Sequence, residues 1–292
     1  MTKGSRLSLI LMAAGPLAFY AIFVLLPLAQ SLQISMWKWN GLSDPVFVGL
    51  DNYTRALSDP LFLGAFRNTA VWLLVAVTVP TVLGLLLAVL LDRPLRASRF
   101  YKSAFYMPIT LSLVVVGQVW IWIYQPDWGL LNSVLTALGL GDLTRAWLGD
   151  PATSLVAVIV AWCWQQTALS LILYLAALTT VPRDLLEAAA IDGASAWQQF
   201  RRIIVPLLRP ASVVVISLAV INTLKGFDIV FMLTKGGPFH TSDNLAMLMY
   251  SETFFKYQVG YGAAIATALF ILAIIVILVY FRQARASERI YG

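Results

Sequence analysis

Between Asp150 and Arg183 the chain carries no charged side chain at all. A spanning helix needs about 20 predominantly apolar residues, so the uncharged run 151–182 is long enough to cross a bilayer. Once in hydrocarbon, every backbone N–H and C=O must be satisfied within the segment, which leaves the α-helix as its structure. Comparable uncharged runs occupy 7–37, 69–91, 105–124 and 263–281. Composition agrees: 60% of residues are hydrophobic and 12% charged, with a mean hydropathy of +0.82. A soluble domain is roughly half apolar and a quarter charged. The expected fold class is all-α, a polytopic transmembrane bundle of six spans forming one domain over 1–292. The spans are placed at about 9–29, 69–91, 105–124, within 151–182, 211–233 and 263–281. The first is read as a retained span, because its apolar run is too long for a signal-peptide core. Pro80 marks a kink in the second.

Six spans put both termini on one side. Lys and Arg divide unevenly between the two sides. The N-terminus, the loop 92–106, the loop 182–210 and the tail together hold thirteen. The opposite loops hold six: Lys38, Arg55, Arg67, Arg145, Lys235 and Lys256. The positive-inside rule therefore places both termini and the 182–210 loop in the cytoplasm. This distribution accounts for the formal net charge of +6 without invoking nucleic acid. A single cysteine, Cys163, rules out an internal disulfide, and a single histidine, His240, argues against a histidine-based metal site.

The loop 182–210 has its own internal logic. Pro182 suits a first helical turn, and Asp184 and Glu187 follow where negative charge is favoured. Gly193 ends that helix in the left-handed conformation. Ser195 and Gln198 have capping-box spacing and open a second helix, with Trp197, Phe200 and Ile204 on one face. Pro206 is expected to stop it. The result is two short helices around a glycine turn, too polar to span.

In this loop Glu187, Ala188 and Ala189 are followed by Gly193, and then by Ile203, Val205 and Pro206. That pattern resembles the coupling loop of ATP-binding-cassette importer permeases, with Val205 where leucine is usual. A second stretch, 224–250, resembles the carbohydrate-uptake type of the maltose, glycerol-phosphate and oligosaccharide permeases. There, one permease pairs with a second, different one. The likeness covers about 67–282, with the first span as an addition. It implies a type I importer-permease fold in the bacterial-type inner membrane. It also implies a second permease, two ATPase subunits that carry ATP and Mg, and an external solute-binding protein as partners. Glu187, Ala188, Ala189, Gly193, Ile203 and Pro206 would couple to the ATPase, and the 234–241 turn would lie near the docked binding protein. A DNA-binding helix-turn-helix has similar spacing, but membrane spans are the wrong context for it. An amphipathic connector lying on the membrane surface is the plainer alternative.

The chain has no phosphate-cradling glycine loop and no set of residues for nucleophilic catalysis, so active transport would draw its energy from another subunit. Polar residues inside the spans are the informative exceptions. Asn222, Lys225 and Asp228 recur every three residues, which on a continuous helix is one face. They either line a path or neutralise one another in packing. Gln165 and Gln166 form a second polar cluster, flanked by Trp162 and Trp164, whose ring faces suit sugar stacking or plain packing. The expected function is that of a permease subunit importing a carbohydrate or related polyol, with no cofactor of its own. The rival is an ion-driven secondary transporter, which would usually show inverted repeats and ion ligands on broken helices.

Overall fold

A computed structural model describes residues 12, 14–92 and 98–291. In chain order its main elements are α1 (Ala14–Ile34), β1 (Trp37–Lys38), β2 (Val46–Phe47), α2 (Asp51–Ser58), α3 (Pro60–Leu91), α4 (Ser98–Thr110), α5 (Leu113–Ile123), α6 (Leu130–Ala137) and α7 (Ser154–Leu178). These are followed by α8 (Arg183–Ile191), α9 (Ala196–Leu207), α10 (Arg209–Leu224), α11 (Phe227–Leu233), α12 (Leu245–Tyr250) and α13 (Val259–Tyr291). Among the described residues, four helices are long and apolar enough to cross a membrane: α1, α3, α7 and Val259–Leu278 within α13. Two bent pairs, α4 with α5 and α9 with α10, raise the count to as many as six if each pair is one span. The start expected for the first span, 9–11, lies outside the described residues.

The structure corrects several boundaries. The second span begins at Pro60, because proline is pre-organised for a first turn and the helix then runs unbroken through Pro80 to Leu91. The third span is not one straight helix. It turns by 107° between α4 and α5, where Ser112 adopts an extended conformation and its hydroxyl accepts from the Val115 N–H. Pro206 does not stop the second loop helix. A π turn, Phe200–Ile204, widens the coil just upstream and accommodates the ring, whose steric conflict falls on the carbonyl four residues back. The break comes at Leu208, where the chain bends by 69° before Pro210 sits in the first turn of α10. The expected fifth span, 211–233, is itself interrupted at Lys225 and Gly226.

The chain divides into two compact units. One comprises Met1–Leu63 and Leu248–Ile271. It contains the antiparallel pair β1–β2, with Trp37 opposite Phe47. The buried Asn52 amide donates to the carbonyls of Ser35 and Trp37 at 2.8 and 3.0 Å and anchors α2 beside the hairpin. The Tyr261 hydroxyl donates to Asp59 at 2.7 Å, with the Arg55 guanidinium 3.9 Å from the ring centroid.

The other unit comprises Gly64–Met247 and Leu272–Gly292 and holds two apolar cores. One gathers Trp72, Val116, Trp162 and Ile229; the other gathers Ala88, Leu171, Tyr174, Leu208 and Val215. Helix α7 serves both, and 61% of its apolar window is buried, against 22% for α3. Where lipid replaces water, such packing is held by dispersion and close approach. Gly84 shows this: a Cβ there would collide with Ser170 of α7, so only glycine lets α3 come so near.

Candidate coupling loop and membrane-buried polar groups

The loop folds as its capping signals require. Helix α8 ends in a Schellman motif: the Ala194 N–H donates to Ala189 at 2.8 Å and the Gly193 N–H to Ala190 at 3.1 Å. Gly193 has φ +82, the left-handed region that favours glycine. Ser195 and Gln198 close a full capping box. The Ser195 N–H donates to Gln198 Oε1 at 2.7 Å, and the Gln198 N–H donates to Ser195 Oγ at 3.3 Å. Glu187 and Ala188 are exposed, Ala189, Ile203 and Pro206 half-buried, and Arg201 and Arg202 point to solvent. Trp197 and Phe200 stack with centroids 5.4 Å apart. With Ile204 they line a groove of about 800 Å³, lined also by Leu86 and Val89 of α3 and Leu178 of α7.

The polar groups of the spans fall into two sets. The first satisfies backbone freed where helices break. The Gln165 amide donates to the carbonyl of Leu111 at 2.6 Å, at the 107° turn. The Asn244 amide donates to the carbonyl of Gly226 at 2.9 Å, at the interruption of the fifth span. At the 69° bend, Tyr174 donates to Ser212 at 3.0 Å, and Ser212 Oγ donates to the carbonyl of Leu208 at 3.0 Å. Asn68 binds the carbonyls of Thr241 and Asp243 at 2.9 and 2.8 Å, fixing the return of the 234–243 turn. Irregular backbone at membrane depth persists only where protein supplies such partners. Sequence reasoning missed Asn68, Tyr174, Ser212 and Asn244 in this role. The available signal was a lone polar side chain in or beside an apolar run.

The second set has spare polarity. The Asn222 amide donates to Gln166 Oε1 at 3.1 Å, joining α10 to α7. Lys225 and Asp228 are exposed, and no ion pair joins them among the described residues. The single polar face expected for Asn222, Lys225 and Asp228 is corrected. Lys225 caps α10 and Asp228 lies in the first turn of α11, so helical spacing does not carry across the break. Of the two roles open to Trp162, the structure shows packing. It is fully buried, and its ring meets Trp72 edge-on at 5.8 Å, which leaves no face for a solute. Gln165 is buried with its amide engaged by Leu111.

Several apolar helices, two of them bent pairs, joined by a polar two-helix loop, describe a multi-pass membrane protein. Residues 80–289 match the family described as binding-protein-dependent transport system inner membrane component. The chain belongs to this family, and its part in such a system is that of a non-catalytic membrane permease component. Among its relatives, a probable ABC transporter permease protein of Pyrococcus horikoshii is 37% identical over 96% of both chains. The xylose/arabinose import permease protein XacH of Haloferax volcanii is 39% identical over 87% of this chain and 83% of its own. A bacterial ABC transporter involved in alginate import has the same fold, with a TM-score of 0.84 at 21% identity over 99% of this chain and 98% of that one.

Proposed function

We propose that this chain is one of two permease subunits of an ATP-driven importer for a carbohydrate or related polyol. Two ATPase subunits, which carry ATP and Mg, dock on the 182–210 loop, and an external solute-binding protein delivers the solute. The pre-shaped loop carries this reading: the C-terminus of α8 and the N-terminus of α9 are each closed by the loop's own residues, with Ala188 and Glu187 exposed on α8. A rigid body of that kind passes on a push, whereas a flexible connector absorbs it. ATPase closure then moves α8 and α9 and switches the spans between inward- and outward-facing states. The substrate class draws on relatives named for xylose/arabinose, diacetylchitobiose and trehalose/maltose. The same reading sets both termini in the cytoplasm of a bacterial-type inner membrane, following the Lys/Arg asymmetry.

Gln166, Asn222, Lys225 and Asp228 belong to the solute path in this proposal. Intramembrane charges left exposed on one chain must face a wet cavity or another subunit rather than lipid. The test is uptake by proteoliposomes holding the purified assembly and its binding protein. Uptake should require ATP on the loop side. Uptake driven by an ion gradient without ATP would favour a secondary transporter and defeat the proposal.

A further inference from the structure

The third span opens on a basic and aromatic turn. Arg93, Arg96, Arg99 and Lys102 recur every three residues, and Asp92 is the one acid of the stretch 92–106. Arg93 and Arg96 lie outside the described residues. Arg99 and Lys102 stand in the early turns of α4, three apart and so neighbours on its surface. Ser103 follows, four residues from Arg99 and on the same side of the helix. Arg99 and Ser103 are exposed and Lys102 is half-buried, and no ion pair engages either base among the described residues. Phe100 is 70% exposed and meets the exposed ring of Tyr101 edge-on at 5.9 Å; Phe105 is exposed a turn further on. The turn is held from behind, because Tyr106 packs against the core that contains Tyr174 of α7. With α5, α4 is long and apolar enough to cross a membrane. Bases and aromatic rings at the mouth of a span belong at the level where headgroups meet acyl chains.

We propose that the start of α4 binds an anionic phospholipid, of the phosphatidylglycerol class, in the leaflet where the span enters. Arg99 and Lys102 take the phosphate, Ser103 adds a hydroxyl donor, and Phe100 and Phe105 lie against the acyl chains. A guanidinium matches a phosphate through paired, charge-assisted N–H donors, and a lysine adds a point charge beside it. Charge balance makes the selection. Two neighbouring bases without a carboxylate partner leave a net positive surface. Phosphatidylglycerol brings an uncompensated negative charge to it. The ammonium of phosphatidylethanolamine offsets its own phosphate and is repelled by both bases. The inference needs only a span that enters the bilayer at α4. It uses neither the proposed solute nor the ATPase coupling, so a transport assay and a lipid assay fail separately.

The experiment reads the lipid at this turn directly. The complete assembly, carrying a photoreactive benzoyl-phenylalanine in place of Phe100, is placed in nanodiscs of phosphatidylglycerol and phosphatidylethanolamine in equal amounts. After illumination the captured molecule is identified by mass spectrometry. Phosphatidylglycerol should be captured well beyond its share. That excess should shrink in salt of about 1 M, where the screening length falls to about 3 Å. In the same background, Arg99→Gln and Lys102→Gln should each lower the preference about fivefold, the contribution of one base near a membrane surface. Arg99→Lys, which keeps the charge, should retain most of it. Equal capture of the two lipids at low salt, with both bases present, overturns the proposal. So does a preference unchanged when both bases are replaced by glutamine, since the excess would then come from elsewhere on the assembly. Capture of a protein subunit in place of lipid also overturns it, because the turn would then be a subunit interface.

Discussion

Gln165 of α7 donates its side-chain amide to the main-chain carbonyl of Leu111 at 2.6 Å, and Leu111 is the residue at which the third span turns by 107°. The glutamine is 5% exposed and Leu111 is half-buried. Removing the donor takes the side-chain partner from a partly buried carbonyl. In water-soluble proteins that costs about 1–3 kcal/mol, but in membranes such bonds average nearer 0.6 kcal/mol, because the unfolded chain also finds partners. Gln165→Leu is therefore expected to destabilise by about 1 kcal/mol, read as a lower midpoint of unfolding in detergent. A midpoint equal to that of the unaltered protein would show that the carbonyl is held by something else.

Lys225 and Asp228 lead to a different outcome. Both are exposed, on either side of the break between α10 and α11, and they do not pair with each other. A charge at the centre of a membrane helix costs roughly 2.5–3.5 kcal/mol for insertion, so replacing both residues with leucine removes a burden on insertion. The double variant should reach the membrane at normal or higher levels while transport falls. Protein level by immunoblot and uptake in the same cells separate the two effects. Normal uptake would remove both residues from the solute path.

Much of the fold was legible in the sequence because membrane spans are written in uncharged runs, and the loop because caps are local. Gly193, Ser195 and Gln198 sit within four residues of the groups they satisfy, so spacing alone predicts their bonds. The breaks were not legible. Whether a helix bends at Leu111 or at Lys225 depends on an amide brought from another helix, and Gln165 and Asn244 lie far along the chain from the carbonyls they hold. Which of the two roles open to Trp162, stacking or packing, applies is hidden for the same reason. Its partner Trp72 is on another helix, and a tryptophan in a span looks the same in sequence whether it meets a solute or a second indole. Pro206 reads as a stop in sequence because the rule for proline assumes a regular α-helix upstream, and the π turn at Phe200–Ile204 changes the space available to its ring.

The topology can be tested with single cysteines. The native Cys163 is buried, so labelling of a folded protein should report only introduced sites. Asp142 and Ser195 are both exposed or partly exposed and flank α7, a span of 25 residues. Asp142→Cys should react with an impermeant thiol reagent from outside intact cells, and Ser195→Cys only after the cytoplasmic face is opened. Reaction of both from the same side would reject the crossing of α7 and, with it, the cytoplasmic placement of the loop.

The loop itself is most sharply tested at Gly193. Its φ of +82 is strained for a side chain, yet a Cβ added there would meet nothing within 4 Å. The cost of substitution is therefore conformational and not steric crowding, about 1–2 kcal/mol for an ordinary L-residue. That predicts an order among variants. Gly193→Asn should be nearly silent, because asparagine tolerates the left-handed region. Gly193→Val, β-branched, should be the worst, since the turn is driven toward a conformation that re-aims α9 relative to α8. The spans are packed elsewhere, so the valine variant should still insert and assemble. Its expected defect is uncoupling: loaded solute-binding protein still docks on the purified assembly, but it no longer stimulates ATP hydrolysis, and uptake is lost. Glu187→Lys should act in the same direction by reversing charge on the outward face of α8, with the turn intact. If Gly193→Val supports ligand-stimulated hydrolysis and uptake at the level of Gly193→Asn, the turn does not transmit closure, and the mechanical role proposed for α8 and α9 is wrong.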